Sequence, residues 1–170
     1  TKIKHWQKHL KHLNNMKSER KKILFIDRDG TILLEPTDMQ VDKIEKMAFL
    51  PFTINCLTQI AKLKDFLLVM VTNQDGLGTE AFPESDFWPT QNKMIEILEG
   101  EGIYFHEICI DKTFAIENKP TRKPGVAMLT HYLAEEFDLE NSFVIGDRYT
   151  DIQLAKNLGS KAIFINTDEG

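Results

Sequence analysis

The sequence predicts an α/β fold, a three-layer sandwich around a central, mostly parallel five-stranded sheet with no large cap domain. Three observations lead there. From Lys22 onward, short apolar runs rich in β-branched and aromatic residues alternate with helical patterns. The runs are nearly continuous, as in strands buried on both faces of a parallel sheet. The length, 170 residues with 42% hydrophobic content, suits one globular domain.

Taken in order, strands are expected at Ile23–Asp27, Phe66–Thr72, Tyr104–Ile110, Ser142–Gly146 and Ala162–Ile165. Helices are expected near Phe52–Lys64, Asp86–Glu101, Val126–Phe137 and Asp151–Leu158, the second after a loop containing Pro83 and the last two opening near Pro124 and Thr150. Right-handed crossovers would then cover both sheet faces in a Rossmann-like arrangement. Residues 32–50 and 111–122 break this rhythm. The first reads as a short flap or hairpin turned by Pro36 and Asp38, the second as a polar connection ahead of Arg122-Lys123-Pro124. Both would emerge at the carboxyl ends of the strands, where open α/β sheets bind ligands.

Residues 1–22 hold eight Lys or Arg and one Glu, so the rest of the chain carries −12 against a whole-chain charge of −5. This separates a basic N-terminal extension, 1–22, from the domain at 23–170. Ile3, Trp6, Leu10 and Leu13 fall on one helical face of the extension, and His5, His9 and His12 stand at i, i+4 and i+7. A solvated extension is the simpler reading of both, since so short a helix is marginal alone.

The acidic balance argues against coating nucleic acid or anionic membrane, leaving a small soluble partner as the default. Cys56 and Cys109 are too few for a disulfide framework and suit a reducing cytosol. With no apolar run long enough to span a bilayer, a cytoplasmic location is expected.

The first strand ends in Asp27-Arg28-Asp29-Gly30-Thr31. In extended backbone, Asp27 and Asp29 point the same way and Arg28 the other. Two adjacent carboxylates repel, and a divalent cation bound by hard oxygen ligands, Mg²⁺ for preference, relieves this. A D-x-D-G-T segment alone is as readily a turn after a strand. Three further features change the balance: Thr72-Asn73-Gln74-Asp75-Gly76 offers hydroxyl and amide donors after strand two, Lys123 offers a compact cation, and Gly146-Asp147…Asp151 places carboxylates after strand four.

Together these four segments resemble the motifs of the haloacid dehalogenase superfamily. Within it, Phe25-Ile26-Asp27-Arg28-Asp29-Gly30-Thr31, Val71-Thr72-Asn73-Gln74-Asp75-Gly76, Thr121-Arg122-Lys123-Pro124 and Val144-Ile145-Gly146-Asp147-Arg148 look like the histidinol-phosphate phosphatase domains of bifunctional histidine-biosynthesis enzymes. The resemblance covers about residues 23–165. It implies Asp27 as nucleophile, Asp29 as general acid then base, and Mg²⁺ held by the Asp27 carboxylate, the Asp29 backbone carbonyl and Asp147. Thr72, Asn73, Lys123 and, more weakly, Arg122 would grip the phosphoryl oxygens, while Asp151 would orient Lys123 or a metal-bound water. Glu35 would pair with the substrate's amino group, with Gln40 and Asp42 on the rim and Phe82, Phe87 and Trp88 walling the imidazole. A fused imidazole-glycerol-phosphate dehydratase domain would follow the chain.

Many members of this branch hold a structural zinc ion before Arg-Lys-Pro with three cysteines and a histidine. Here Asp111, Thr113, Lys119 and Thr121 occupy those positions. No zinc is therefore expected, and Phe114, Ile116 and Pro120 would pack the loop instead. Rival readings are a sugar-bisphosphate phosphatase, a polynucleotide 3′-phosphatase, which should show a basic groove, and a receiver-type signalling domain. A receiver would carry its acceptor Asp at the end of strand three, which here reads Ile108-Cys109-Ile110-Asp111.

Overall fold

In the computed structural model, which describes residues 20–165, five strands form: β1 (Lys22–Ile26), β2 (Phe66–Asn73), β3 (Glu107–Asp111), which opens three residues later than expected, β4 (Phe143–Gly146) and β5 (Lys161–Phe164), an edge strand exposed along its length rather than buried on both faces. Every pairing is parallel, in the order β3-β2-β1-β4-β5. β1 is central, and the chain winds outward to β2 and β3 on one side before crossing to β4 and β5 on the other. The reversal lies between β1 and β4, where Ile26 pairs with Ile145; such a switch point leaves a crevice at the strand ends.

Alternation along β1 feeds two cores. Ile23 and Phe25 join Val69, Val71 and Val144 beneath α3 (Tyr149–Leu158), which contributes Leu154, Ala155 and Leu158. Leu24 and Ile26 join Leu68 and Met70 on the opposite face. There Leu57 of α1 (Thr53–Leu63) and Met94 and Leu98 of α2 (Glu84–Gly100) cover them.

The helix expected over Val126–Phe137 is instead a 3₁₀ segment, Ala127–Leu133. Three-residue spacing explains it: Leu129 and Tyr132 are both buried, and a 3₁₀ turn stacks positions three apart over one another. The Tyr132 ring stands edge-on to Phe25, and its hydroxyl donates to Glu107 on β3. β1 starts at Lys22, one residue before the expected strand, and the Lys21 amide donates to the Glu136 carbonyl at 3.0 Å. The amphipathic pattern and histidines of residues 3–13 lie outside the described residues.

The flap is a minimal hairpin. Leu34 N donates to Ala48 O at 2.8 Å and Leu50 N to Ile32 O at 2.9 Å, with Lys46 joined to Asp38 and Asp42 inside the loop. The second loop is held differently from expectation. Ile116 is 94% exposed and Phe114 43%, its ring lying against Gly76, so apolar packing contributes little. A buried carboxylate does. Asp111 accepts from the Thr113 amide and hydroxyl on one oxygen and from the Thr121 hydroxyl on the other. Three of the four positions aligned with zinc ligands thus form one hydrogen-bonded cluster.

Burial pushes the Asp111 carboxyl up, but the bonds from Thr113 and Thr121 outweigh it and hold the group below its ordinary value. A carboxyl depressed in the folded state stabilises above its unfolded pKa, and that contribution is lost as pH falls through the folded value. Asp111→Ala should therefore destabilise the domain by about 1–3 kcal/mol in urea unfolding at pH 7. The difference from wild type should shrink below a pH of about 4.

Candidate active site

β1 yields to a turn at the switch point. Asp27 N still donates to Ile145 O at 2.9 Å, but the Arg28 carbonyl then turns inward to accept from Ile32 N at 2.8 Å and Leu33 N at 3.0 Å. Gly30 makes this possible, with φ at +72° and the space of its missing side chain filled by Asp147. A Cβ there would lie 2.1 Å from Asp147 Oδ2. Gly146 does the same for Asp151, whose Oδ2 lies 2.2 Å from where a Cβ would stand. Two glycines thereby let the carboxylates of β4 and α3 close on the end of β1.

Lys123 ties these acids together. Its Nζ is 2.8 Å from Asp27 Oδ1 and 2.8 Å from Asp151 Oδ1, with all three residues buried. Burial works against the ammonium charge, yet the two carboxylates hold its pKa above the ordinary lysine value. Asp27 Oδ1 also accepts from Arg28 N at 2.7 Å, so Oδ2 is the oxygen without a protein donor among the described residues. Asp151 is fully engaged, its Oδ2 accepting from Arg148 N at 3.1 Å, which makes it a brace for Lys123.

Asp147 is the acid left wanting. Its Oδ1 is buried without a hydrogen-bond partner. Desolvation, then the nearby Asp27 charge, pushes its carboxyl up to about 6. Oxygens of Asp27, Asp147 and Asp151 lie within 4.8 Å of one another. An orphaned carboxylate oxygen among hard donors fits a divalent cation.

These groups open into a cleft of about 330 Å³, a size suited to a small ligand. Asp27, Asp29, Glu35, Gln40, Thr72, Asn73, Arg122 and Lys123 all line it, so every one of these residues singled out from sequence reaches one cavity. Asp147 stands behind, against Gly30. Three of the side chains around the cleft already have partners within the protein. Asn73 clamps the backbone of Lys123, with Oδ1 accepting from its N at 3.0 Å and Nδ2 donating to its carbonyl at 3.3 Å. The second Nδ2 proton and the main chain of Asn73 are then what it offers a phosphoryl oxygen. Gln74 turns its amide toward Asp29 and Thr72. Glu35 is paired across the cleft with Arg148, a cation that sequence reasoning missed because an Arg after Gly-Asp carries no distinctive pattern. Burial raises the Glu35 carboxyl above its ordinary value despite that pairing.

At the rim, Arg122 makes a two-pronged pair with Asp75, at 2.6 and 3.2 Å, and donates to Thr113 O at 2.7 Å. Phe82 lines the cleft, whereas Phe87 lies in the core beside it and Trp88 on the surface, donating to Glu84. Asp42 faces a separate groove. Cys109 is buried with its thiol pushed up to about 12, which removes it from nucleophilic chemistry.

A family model described as HAD-hydrolase-like matches residues 120–170. The Histidine biosynthesis bifunctional protein HisB of Spirosoma linguale is 54% identical over 150 residues, covering 88% of this chain and 39% of that protein. Its namesake in Bacteroides fragilis is 53% identical over 148 residues, covering 86% and 40%. Residues 120–170 thus match the haloacid dehalogenase superfamily, and the similarity to the HisB proteins runs over most of the chain. It spans about two-fifths of the length of these curated relatives. The superfamily fold is also that of D,D-heptose 1,7-bisphosphate phosphatase from B. bronchiseptica, crystallised with magnesium and phosphate, at a TM-score of 0.73 and 23% identity over 83% of this chain and 78% of that one. No helix among the described residues is long and apolar enough to cross a membrane.

In this haloacid dehalogenase-like site, Lys123 bridges a buried pair of carboxylates. Removing one partner of such a network leaves charge stranded in the interior. Lys123→Met should lower unfolding free energy by about 3–5 kcal/mol in urea titration at pH 7. Adding Asp151→Asn to that variant should recover part of the loss.

Proposed function

We propose that the chain is a Mg²⁺-dependent phosphomonoester hydrolase acting on histidinol phosphate through an aspartyl-phosphate. One observation carries the hydrolase reading: Asp27, fixed through Oδ1 by Lys123 and the Arg28 amide, keeps Oδ2 free in a cleft shared with a second carboxylate, Asp29. Oδ2 attacks phosphorus as the P–O bond to the leaving alkoxide breaks and Asp29 supplies that oxygen with a proton. Asp29 then takes a proton from water as its oxygen attacks phosphorus and releases Asp27. Thr72 and Lys123, which line the cleft, would face the transferring oxygens, with Arg122 nearby. Mg²⁺ held by Asp27, the Asp29 carbonyl and Asp147 would supply positive charge against the phosphoryl group.

Substrate choice rests on the rim and on the relatives' role in histidine biosynthesis. Glu35 and Arg148 neutralise each other across the cleft. The ammonium of histidinol phosphate can replace Arg148 at Glu35, with Gln40 beside it and Phe82 as an apolar wall for the imidazole. The acidic domain disfavours a nucleic-acid substrate, and a cytoplasmic setting follows from a biosynthetic role. A dehydratase unit fused after this chain would account for the bifunctional relatives' additional length. A receiver would need its acceptor at the end of β3, where Asp111 has both oxygens engaged by Thr113 and Thr121.

Phosphate release with Mg²⁺ should favour histidinol phosphate over heptose bisphosphate and a 3′-phosphorylated oligonucleotide; no such preference would remove the substrate assignment. Asp27→Asn should lower turnover by about 10³-fold or more, with an unchanged far-UV spectrum. Mg²⁺ should raise the thermal midpoint at pH 7.5 but much less below pH about 6, where Asp147 takes up a proton and competes with the cation. Elemental analysis should find no stoichiometric zinc, because the aligned positions offer no thiolate or imidazole; zinc at one equivalent would refute this.

A further inference from the structure

Beneath the cleft lies a buried cation with no part in phosphate binding. Arg28 is wholly inaccessible, its guanidinium carbon 5.0 Å from the centre of the Phe87 ring, and its Nε and Nη2 have no hydrogen-bond partner. Nη1 alone is engaged, donating to Asp29 Oδ1 at 2.9 Å and Oδ2 at 3.1 Å. From another strand end, Gln74, only 4% exposed, donates through Nε2 to Asp29 Oδ2 at 2.7 Å and to Thr72 Oγ1 at 2.9 Å.

A guanidinium buried with two nitrogens unpaired is a poor choice for stability, since an apolar side chain of similar volume avoids the desolvation. Departures of this kind are expected where function imposes them. The donors are also unequally shared. Asp29 Oδ2 receives two and Oδ1 one, so Oδ1 keeps the freer lone pairs. The carboxylate cannot rotate without breaking bonds to two different elements.

We propose that Arg28 and Gln74 are positioning residues that lock the Asp29 carboxylate in one orientation, presenting Oδ1 to the cleft for both of its proton transfers. This rests on the phosphatase reading above. In the first transfer a proton leaves Asp29 for the departing oxygen as the bond from Asp27 to phosphorus forms. In the second, Asp29 regains a proton from the water that splits the aspartyl-phosphate. A carboxylate free to swing fails at both steps, but the first failure matters only for a basic leaving group. An alkoxide needs the proton, whereas p-nitrophenolate departs without it.

The test compares Gln74→Leu, Arg28→Met and Arg28→Lys with wild type on p-nitrophenyl phosphate and on an alkyl phosphate the wild type hydrolyses. Gln74→Leu and Arg28→Met should lose about 10²-fold in kcat on the alkyl ester, with KM nearly unchanged. On p-nitrophenyl phosphate they should release one equivalent of nitrophenol per site at close to the wild-type rate, then slow by a similar factor as the acyl phosphate accumulates. Arg28→Lys should recover part of the loss. Equal losses on both esters with no burst, or no loss at all, would overturn the assignment. If Arg28→Met does not fold by circular dichroism, Gln74→Leu decides alone. Failure of the wild type to hydrolyse either ester would instead refute the phosphatase reading, and the positioning role with it.

Discussion

The ammonium of Lys123 between Asp27 and Asp151 is the contact on which the site's geometry depends. A lysine this buried forfeits hydration worth several kcal/mol, and only well-placed carboxylates offset that. Those carboxylates come from the end of β1 and the start of α3, far apart in sequence. They are neighbours because β4 pairs with β1, so the strand order is a condition for the ion network. Lys123 arrives on the second loop, where the Asn73 clamp fixes its backbone and the Asp111 cluster fixes the chain leading to it.

Seen as a charge pattern, the cleft holds each acid by a different means. Asp27 and Asp151 share Lys123, Asp29 has Arg28 beneath it, and Glu35 has Arg148 across from it. Of these acids, Asp147 keeps a buried oxygen without a partner among the described residues, at the place where a cation would lie beside Asp27. The arrangement is thus nearly neutral except where a divalent ion and a phosphoryl group of opposite charge would be added together. That balance suits a substrate carrying its own compact charge better than a long polyanion.

Much of this was legible in the sequence because it follows from local rules. Five apolar runs predicted five strands, and each set of site residues followed a strand end, so the run boundaries also located the cleft. What escaped was set by packing and by partners distant in sequence. The 3₁₀ turn over Ala127–Leu133 depends on Leu129 and Tyr132 reaching the sheet together. Phe114 and Ile116 read as loop packing because they are apolar, yet Asp111, Thr113 and Thr121 hold that loop through hydrogen bonds no periodicity reveals. Arg28 was expected to point away from Asp29 on the strength of strand alternation, which lapses once β1 ends at Ile26. Glu35 carried an acidic match, but its pairing with Arg148 joins residues 113 positions apart.

The central proposal is covalent: phosphate would pass through the Oδ2 oxygen of Asp27. Rapid acid quench during turnover, followed by borohydride reduction and peptide mass mapping, tests it directly. Asp27 should be converted to homoserine in a substrate-dependent fraction of the protein. Turnover with no modified aspartate, or with modification at Asp29, Asp147 or Asp111 in its place, would contradict it.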